Sequence, residues 1–394
     1  SDVYKRQLSD DEINWMNILF DQMQLKQKLI REFTPNWFAV VMGTGVVALI
    51  LAHFPFASSS FYRLGMMLWI FNSALFIVFS VLYLARWFFY PEEAKQILSH
   101  PTMSLFLGTI PMALATVLNG FLSYGMPLFG ELAVLIALKL WYLDVLLAIL
   151  VGWIVPFCMF SRQQHTLPSM TAMWLLPIVA AEVAASSGGL ILNVAPHLPN
   201  AVTILWGSYI LWGMSVLPAF LILAILVLRL ALHQIPQKEL AISSWLSIGP
   251  IGTGALAMLL LGQAAPQVLQ QHNLHKLGPF LQHSGLFIAL VFMGVGIWWL
   301  GIAIFASLHH LRQGIPFNLG WWGLTFPLGV FILALQQLVL QLQWSSLTVI
   351  VHGLMMLLLG LWVLVTLKTI RGAYSGQLFF SPCLQIWKQQ QENH

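Results

Sequence analysis

Charge is what this chain has least of. Only 8% of its 394 residues are Asp, Glu, Lys or Arg, against roughly 25% in soluble domains, which excludes a soluble globular domain. Cysteine is nearly absent as well. Cys158 and Cys383 alone cannot build a disulfide framework, and both fall near expected cytoplasmic ends of apolar segments, where thiols stay free. No GxxxxGK[ST] phosphate loop occurs, which argues against a nucleotide-driven pump. The lack of HExxH, GxSxG or a convincing serine–histidine dyad argues against an intramembrane enzyme. The first apolar run follows about 35 mostly polar residues and shows no short h-region with a cleavage site, so no removable signal peptide is expected. His272, His275 and His283 in one loop are an incomplete ligand set for a metal. Nothing calls for a cofactor or a nucleic-acid partner.

Apolar sequence fills the space, at 59% of all positions with a mean hydropathy of +0.82. Runs of about 20 residues, the length that crosses a hydrocarbon core of about 30 Å, predict an all-α protein of ten spans. They lie at 36–54, 61–87, 102–125, 131–160, 169–193, 201–233, 242–264, 284–311, 318–340 and 345–370. Three regions result: a cytoplasmic N-terminal segment 1–35, a transmembrane domain 36–372, and a cytoplasmic tail 373–394 expected to be weakly ordered. In the first region Ser9-Asp10-Asp11-Glu12 is a capping-box pattern, and Met16, Leu19, Phe20 and Met23 recur at helical spacing. A short amphipathic helix is expected there. Of the 17 lysines and arginines, only Arg63, Lys139 and Lys276 lie elsewhere than before the first span, at or after the ends of even spans, or in the tail. The positive-inside rule then puts both termini in the cytoplasm. The spans form five hairpins, each an odd helix going out and an even helix coming back.

Pro111, Pro177, Pro250 and Pro327 each sit about eight or nine residues into an odd span, which is about 12–14 Å deep at 1.5 Å per residue. Gly43 and Gly45 hold the matching place in the first span. These marks recur about every 70 residues, a repeat the size of a helical hairpin. A proline inside a helix removes a hydrogen bond and bends the rod. The pattern therefore predicts five equivalent broken helices meeting near the midplane, where irregular backbone is tolerated only if buried or lining a water-filled path. Thr44, Thr109, Thr253 and Thr325 stand beside the breaks. Small residues and threonines also serve close helix packing and back-bonding, but their registration across the spans favours a polar pore lining. Five parallel odd helices direct positive dipole ends at the cytoplasmic mouth. A small anionic solute is the expected cargo, selected by hydroxyls, amides and the dipole field rather than by a ring of basic side chains.

Three ionisable residues lie inside spans: Lys139 and Asp144 on the fourth, Glu182 on the fifth. Each needs a partner or water. Two readings stand: a buried brace of Lys139 with Glu182 or Asp144, or a proton relay through Glu182 that would make the protein a proton-coupled carrier instead of a channel.

The strings FTPNWFAVVMGTG, HPTMSLFLGTIPMALATVLNG, WLLPIVAAEVAASSGGL, SSWLSIGPIGTGAL and PFNLGWWGLTFPLGV resemble the tellurite-resistance/dicarboxylate transporter family. That family includes plant guard-cell slow anion channels, fungal malate permeases and fungal sulfite efflux pumps. The likeness runs from about Phe33 to the SPC motif at Ser381–Cys383. It implies five hairpins around a central pore lined by the odd, Gly/Pro-kinked helices, and a homotrimer in the lipid bilayer with one pore per subunit. It also implies a pore-blocking phenylalanine on the ninth span, which carries over to Phe326. Two segments, HPTMSLFLGTIPMALAT and LLPIVAAEVAA, are most similar to the sulfite-efflux branch and its bacterial relatives. The implied activity is transport of sulfite-type oxyanions or C4-dicarboxylates such as malate, as efflux across a bacterial inner membrane.

Overall fold

The most apolar helices of this protein are the ones on its outside. The computed structural model describes residues 27–53, 59–270, 274–312 and 314–392; the helix expected over 9–23 and His272 lie outside them. Among the described residues there is no strand. The principal helices are α1 (Phe38–Leu51), α2 (Ser59–Phe89), α3 (Thr109–Gly120), α4 (Glu131–Ser161), α5 (Leu176–Val194), α6 (Ala201–His233), α7 (Ile248–Gln270), α8 (Leu277–Leu311), α9 (Phe326–Leu342), α10 (Ser345–Tyr374) and α11 (Pro382–Glu392). Nine described helical stretches are long and apolar enough to cross a membrane, and Pro35–Leu51 is a shorter apolar one.

Two layers separate by burial. In the apolar stretches that contain α3, α5, α7 and α9, the most apolar 18 residues are 78%, 89%, 100% and 72% buried, and every residue of α1 is buried. Those of α2, α4, α6, α8 and α10 are buried over only 17–33%, and yet they are the more apolar set. Their exposed faces carry Leu84, Phe88, Phe160, Phe305 and Val349. Water would not tolerate an apolar surface of this extent, whereas hydrocarbon does. The protein is an integral membrane protein.

The odd helices close on themselves. α1 packs on α3, α3 on α5, α5 on α7, α7 on α9, and α9 returns to α1. Each even helix lies against the outside of this ring. Tryptophans fasten the two layers: Trp69 Nε1 donates to the Val117 carbonyl at 3.0 Å, Trp141 Nε1 to the Ala184 carbonyl at 2.8 Å, and Trp212 Nε1 to the Gly254 carbonyl at 3.0 Å. Each bond runs from an even helix to the odd helix beside it. An indole suits this place because it offers a large apolar body and one donor, so burial leaves no polar atom unpaired.

The tail is ordered, contrary to expectation. α11 is a helix, and Ser381, Cys383 and Leu384 are buried. Trp37 stacks on Phe379 with centroids 4.8 Å apart, and the Ser381 amide donates to Glu32 at 2.7 Å. Apolar and hydrogen-bonding partners from the N-terminal side, remote in sequence, order a segment whose own composition is weak. Cys158 and Cys383 are both free and buried.

Candidate functional site

Each odd helix begins as a 3-10 helix and becomes an α-helix within the protein. The 3-10 segments are Pro35–Trp37, Met103–Gly108, Ala172–Leu175, Lys238–Ser247 and Leu319–Leu324. Pro111 and Pro250 are the third residues of α3 and α7, and Pro177 and Pro327 the second residues of α5 and α9. The prolines therefore mark changes of helical winding. They are not kinks within continuous α-helices, because a proline in the first α turn forfeits no α-helical hydrogen bond and its fixed φ suits that place. The first helix departs further from expectation. α1 runs unbroken through Gly43 and Gly45, and its change of winding lies at Trp37–Phe38. The two glycines instead permit close approach: a Cβ on Gly43 would strike Thr325 and Trp322, and one on Gly45 would strike Thr116 and Asn72.

Three cavities follow the ring from end to end. The first, about 220 Å³, is walled chiefly by the 3-10 segments, with Asn36, Thr102, Met173, Ser243 and Asn318 among its lining. All five segments reach it, so the odd helices are parallel and their positive dipole ends surround one space. Its charged side chain is Glu239, which is exposed. The second cavity is a neck of about 10 Å³ where Met42, Met112, Val179, Pro250, Phe326 and Pro327 converge, so each odd helix contributes. That volume is at the limit for one water molecule. Phe326 is 3% exposed. The third cavity, about 70 Å³, lies about two turns further along the same helices, with Leu49, His53, Asn119, Ser186, Gln336 and Gln337 in its wall.

Of the four threonines, Thr109 lines the first cavity, and its hydroxyl donates to the Pro35 and Phe106 carbonyls at 2.9 and 2.7 Å. The other three line none of these cavities. Thr44 accepts from Trp362 Nε1 at 3.3 Å, Thr325 donates to the Trp322 carbonyl at 2.8 Å, and the buried Thr253 hydroxyl has no hydrogen-bond partner among the described residues. Small hydroxyls at close helix crossings are used for packing and back-bonding here.

The three ionisable residues do not form a brace. Lys139 is exposed on α4 beside Leu135, Tyr142 and Leu143, whereas Asp144 lies on the buried face with Ala137, Trp141 and Ala148. Five residues along an α-helix turn the side chain by about 140°, so Lys139 and Asp144 cannot share a face. No ion pair joins Lys139 to Glu182 among the described residues. Glu182 is fully buried on α5, with Ser215 of α6 beside it. The Ser215 hydroxyl gives its proton to the Ile178 carbonyl at 2.8 Å, and among the described residues no hydrogen bond reaches either Glu182 oxygen or either Asp144 oxygen.

The third cavity escaped the sequence reading, although a signal was present. Asn119, Ser186 and Gln336 each follow the proline of their helix by about eight or nine residues, roughly the same helical position. Polar residues in register within apolar runs mark a shared wall. The tryptophan struts repeat similarly, with Trp69, Trp141 and Trp212 spaced about 71 residues apart, a period matching the hairpin repeat.

A closed ring of parallel helices, narrow at a central neck and wider on both sides of it, with an apolar belt outside, is the build of a membrane transport protein. Residues 32–370 match the family model for SLAC1, voltage-dependent anion channel, and the chain belongs to that family. It is 34% identical over 352 residues to a protein named sulfite efflux pump SSU1 from Arthroderma otae, covering 89% of this chain and 93% of that one. It is 30% identical to the uncharacterized transporter MJ0762 of Methanocaldococcus jannaschii, covering 90% and 98%. With the malic acid transport protein of Schizosaccharomyces pombe it shares 24% identity, covering 80% and 72%. The family and these relatives are transporters or channels rather than enzymes.

Proposed function

We propose that this chain moves small anions across the membrane along the axis of the odd-helix ring, with the Phe326 ring as the gate. The observation that carries this reading is the sequence of three cavities on one set of helices, narrowest at Phe326. The first cavity is the cytoplasmic entrance, where five helix N-termini favour negative charge without a fixed cation that would hold the anion too long. At the neck an anion must shed water between methionine, proline and phenylalanine side chains, a costly step that keeps flux low until the ring swings aside. The third cavity is the outer exit. Ten crossings, cytoplasmic termini, placement in a bacterial inner membrane and a homotrimer with one path per subunit complete the proposal, supported by the basic residues on one side and the family membership.

The cargo favoured is a sulfite-type oxyanion leaving the cytoplasm, because the more similar of the named relatives carry that name; malate and other C4-dicarboxylates come second. A second reading, proton-coupled carriage, has one observation in its favour: the unpartnered carboxyl of Glu182 on an inner helix. Purified protein in liposomes tests the whole. Sulfite, malate, chloride and nitrate should move down their gradients without ATP, sulfite fastest, with a dependence on voltage. Rates equal to those of empty liposomes for every anion would dismiss the reading.

A further inference from the structure

We propose that the third cavity is a binding site for a small monovalent oxyanion, and that the imidazole of His53 charges it when that side of the membrane is acidic. The proposal rests on the path described above and adds a site and a regulation to it.

The argument starts from the wall. All five odd helices reach this cavity, so an ion leaving the neck must pass it. Its polar groups are hydroxyls and carboxamides, which are neutral at every ordinary pH. Among the described residues the Ser123 hydroxyl and the Gln337 amide find no hydrogen-bond partner, which leaves them to donate to a ligand. Gln336 is committed: its Nε2 donates to the His53 carbonyl at 3.1 Å, which ties the end of α1 to α9 and keeps His53 at the cavity. Asn119 donates to the Ser187 hydroxyl at 3.0 Å.

Neutral donors alone hold a monovalent anion weakly, and His53 is the side chain in this wall that becomes a cation on acidification. Among the described residues no carboxylate in the cavity wall opposes its charge. On α2, Tyr62 donates to the Ser123 carbonyl at 3.1 Å and Arg63 bonds to Ser59. In the turn after α3, Tyr124 donates to the Ala48 carbonyl. On α5, Glu182 lies a turn before Ser186 and faces Ser215 of α6. The walls from α7 and α9 contribute leucines and glutamines. α10 meets α1 where Trp362 bonds Thr44, and it carries His352 at about the level of His53, so the two imidazoles must be told apart by experiment. No carboxylate lines the cavity. A histidinium there draws in an anion that hydroxyls and amides then coordinate, and deprotonation releases it.

Nitrate is the probe, because its own charge does not change over the range that histidine titrates. Full-length protein in liposomes, with the inside pH clamped, should show the half-saturating external nitrate concentration falling about tenfold as external pH drops from about 8 to about 5. His53→Gln should capture nitrate weakly at both pH values. His53→Lys should capture it tightly at both, which shows that charge and not fold is being read. His352→Gln should keep the pH response. A wild-type response surviving in His53→Gln, a response lost in His352→Gln alone, or nitrate flux in the wild type with no pH response would each overturn the site. Absence of nitrate flux from every variant at every pH would overturn the path as well.

Discussion

The guanidinium of Arg86 on α2 donates to the Ser381 hydroxyl at 3.2 Å across 295 positions of chain, and to the Phe33 carbonyl at 2.6 Å. One buried cation thus holds together the chain that enters α1, an outer helix and the C-terminal segment. Asn36, three residues after Phe33, lines the first cavity, so this clasp sets the rim of the proposed entrance. Arg86→Met should destabilise by about 2–5 kcal/mol, because the methionine fills space but takes the guanidinium donor from the Phe33 carbonyl and leaves the Ser381 hydroxyl only the longer bond from the Leu384 amide. Ser381→Ala should lose about 1 kcal/mol, and the double variant less than the sum of the two. Thermal unfolding in detergent reads all three. Full additivity would mean that the two residues do not act as a unit.

Topology is accessible through thiols, since both native cysteines are buried and give little background labelling. Cysteine at Leu128 or Gln343 should react with a membrane-impermeant reagent added to intact cells, and cysteine at Arg162 or Arg312 only after permeabilisation. All four residues are exposed. The reverse pattern would invert the protein and turn the helix dipoles against the proposed cytoplasmic entrance.

Glu182 separates channel from coupled carrier. Glu182→Gln keeps shape and removes the proton-exchanging group, and since no cation pairs with Glu182 among the described residues, no partner is stranded. Stability should therefore change by less than about 1 kcal/mol. If Glu182 relays protons, an anion gradient should drive proton movement in wild-type liposomes, read by a trapped pH dye, and the variant should lose it. Proton movement equal in both would remove Glu182 from any relay. This readout is independent of His53, which alters anion capture without carrying a net proton across.

The layering shows what was legible in the chain and what was not. The all-helical membrane fold was readable because hydrocarbon demands long apolar runs, and the common position of four inner-helix starts because Pro111, Pro177, Pro250 and Pro327 recur in register. The meaning of those prolines was not readable. A proline serves equally as a kink and as the first turn of a helix, and only the backbone shows the 3-10 segments before it. Gly43 and Gly45 misled for a related reason: glycine at a break and glycine at a helix crossing look the same in sequence. A brace of Lys139 with Asp144 stood among the readings, although helical phase already put the two about 140° apart. The Arg86 clasp joins residues nearly 300 apart, and no local pattern announces a contact of that range.

Phe326 stands in the wall of the neck that all five odd helices line, a space of about 10 Å³ shared with Met42, Met112 and Pro250. Phe326→Ala would enlarge that space by most of a benzene ring. For a residue that serves only as core, the consequence is a cavity and a loss of about 3–5 kcal/mol. For a plug it is a wetted passage, because a space with water continuous on both sides lowers the dehydration barrier that an anion meets. The expected result is a clear rise in basal anion flux per folded molecule. Phe292→Ala is the control. That ring lies on α8, stacked against Trp212 and tilted against Phe220 outside the path, so its loss should cost about 2–3 kcal/mol and leave flux per folded molecule unchanged. Equal flux in wild type and Phe326→Ala, on protein that elutes as a single assembled species, would place the constriction elsewhere.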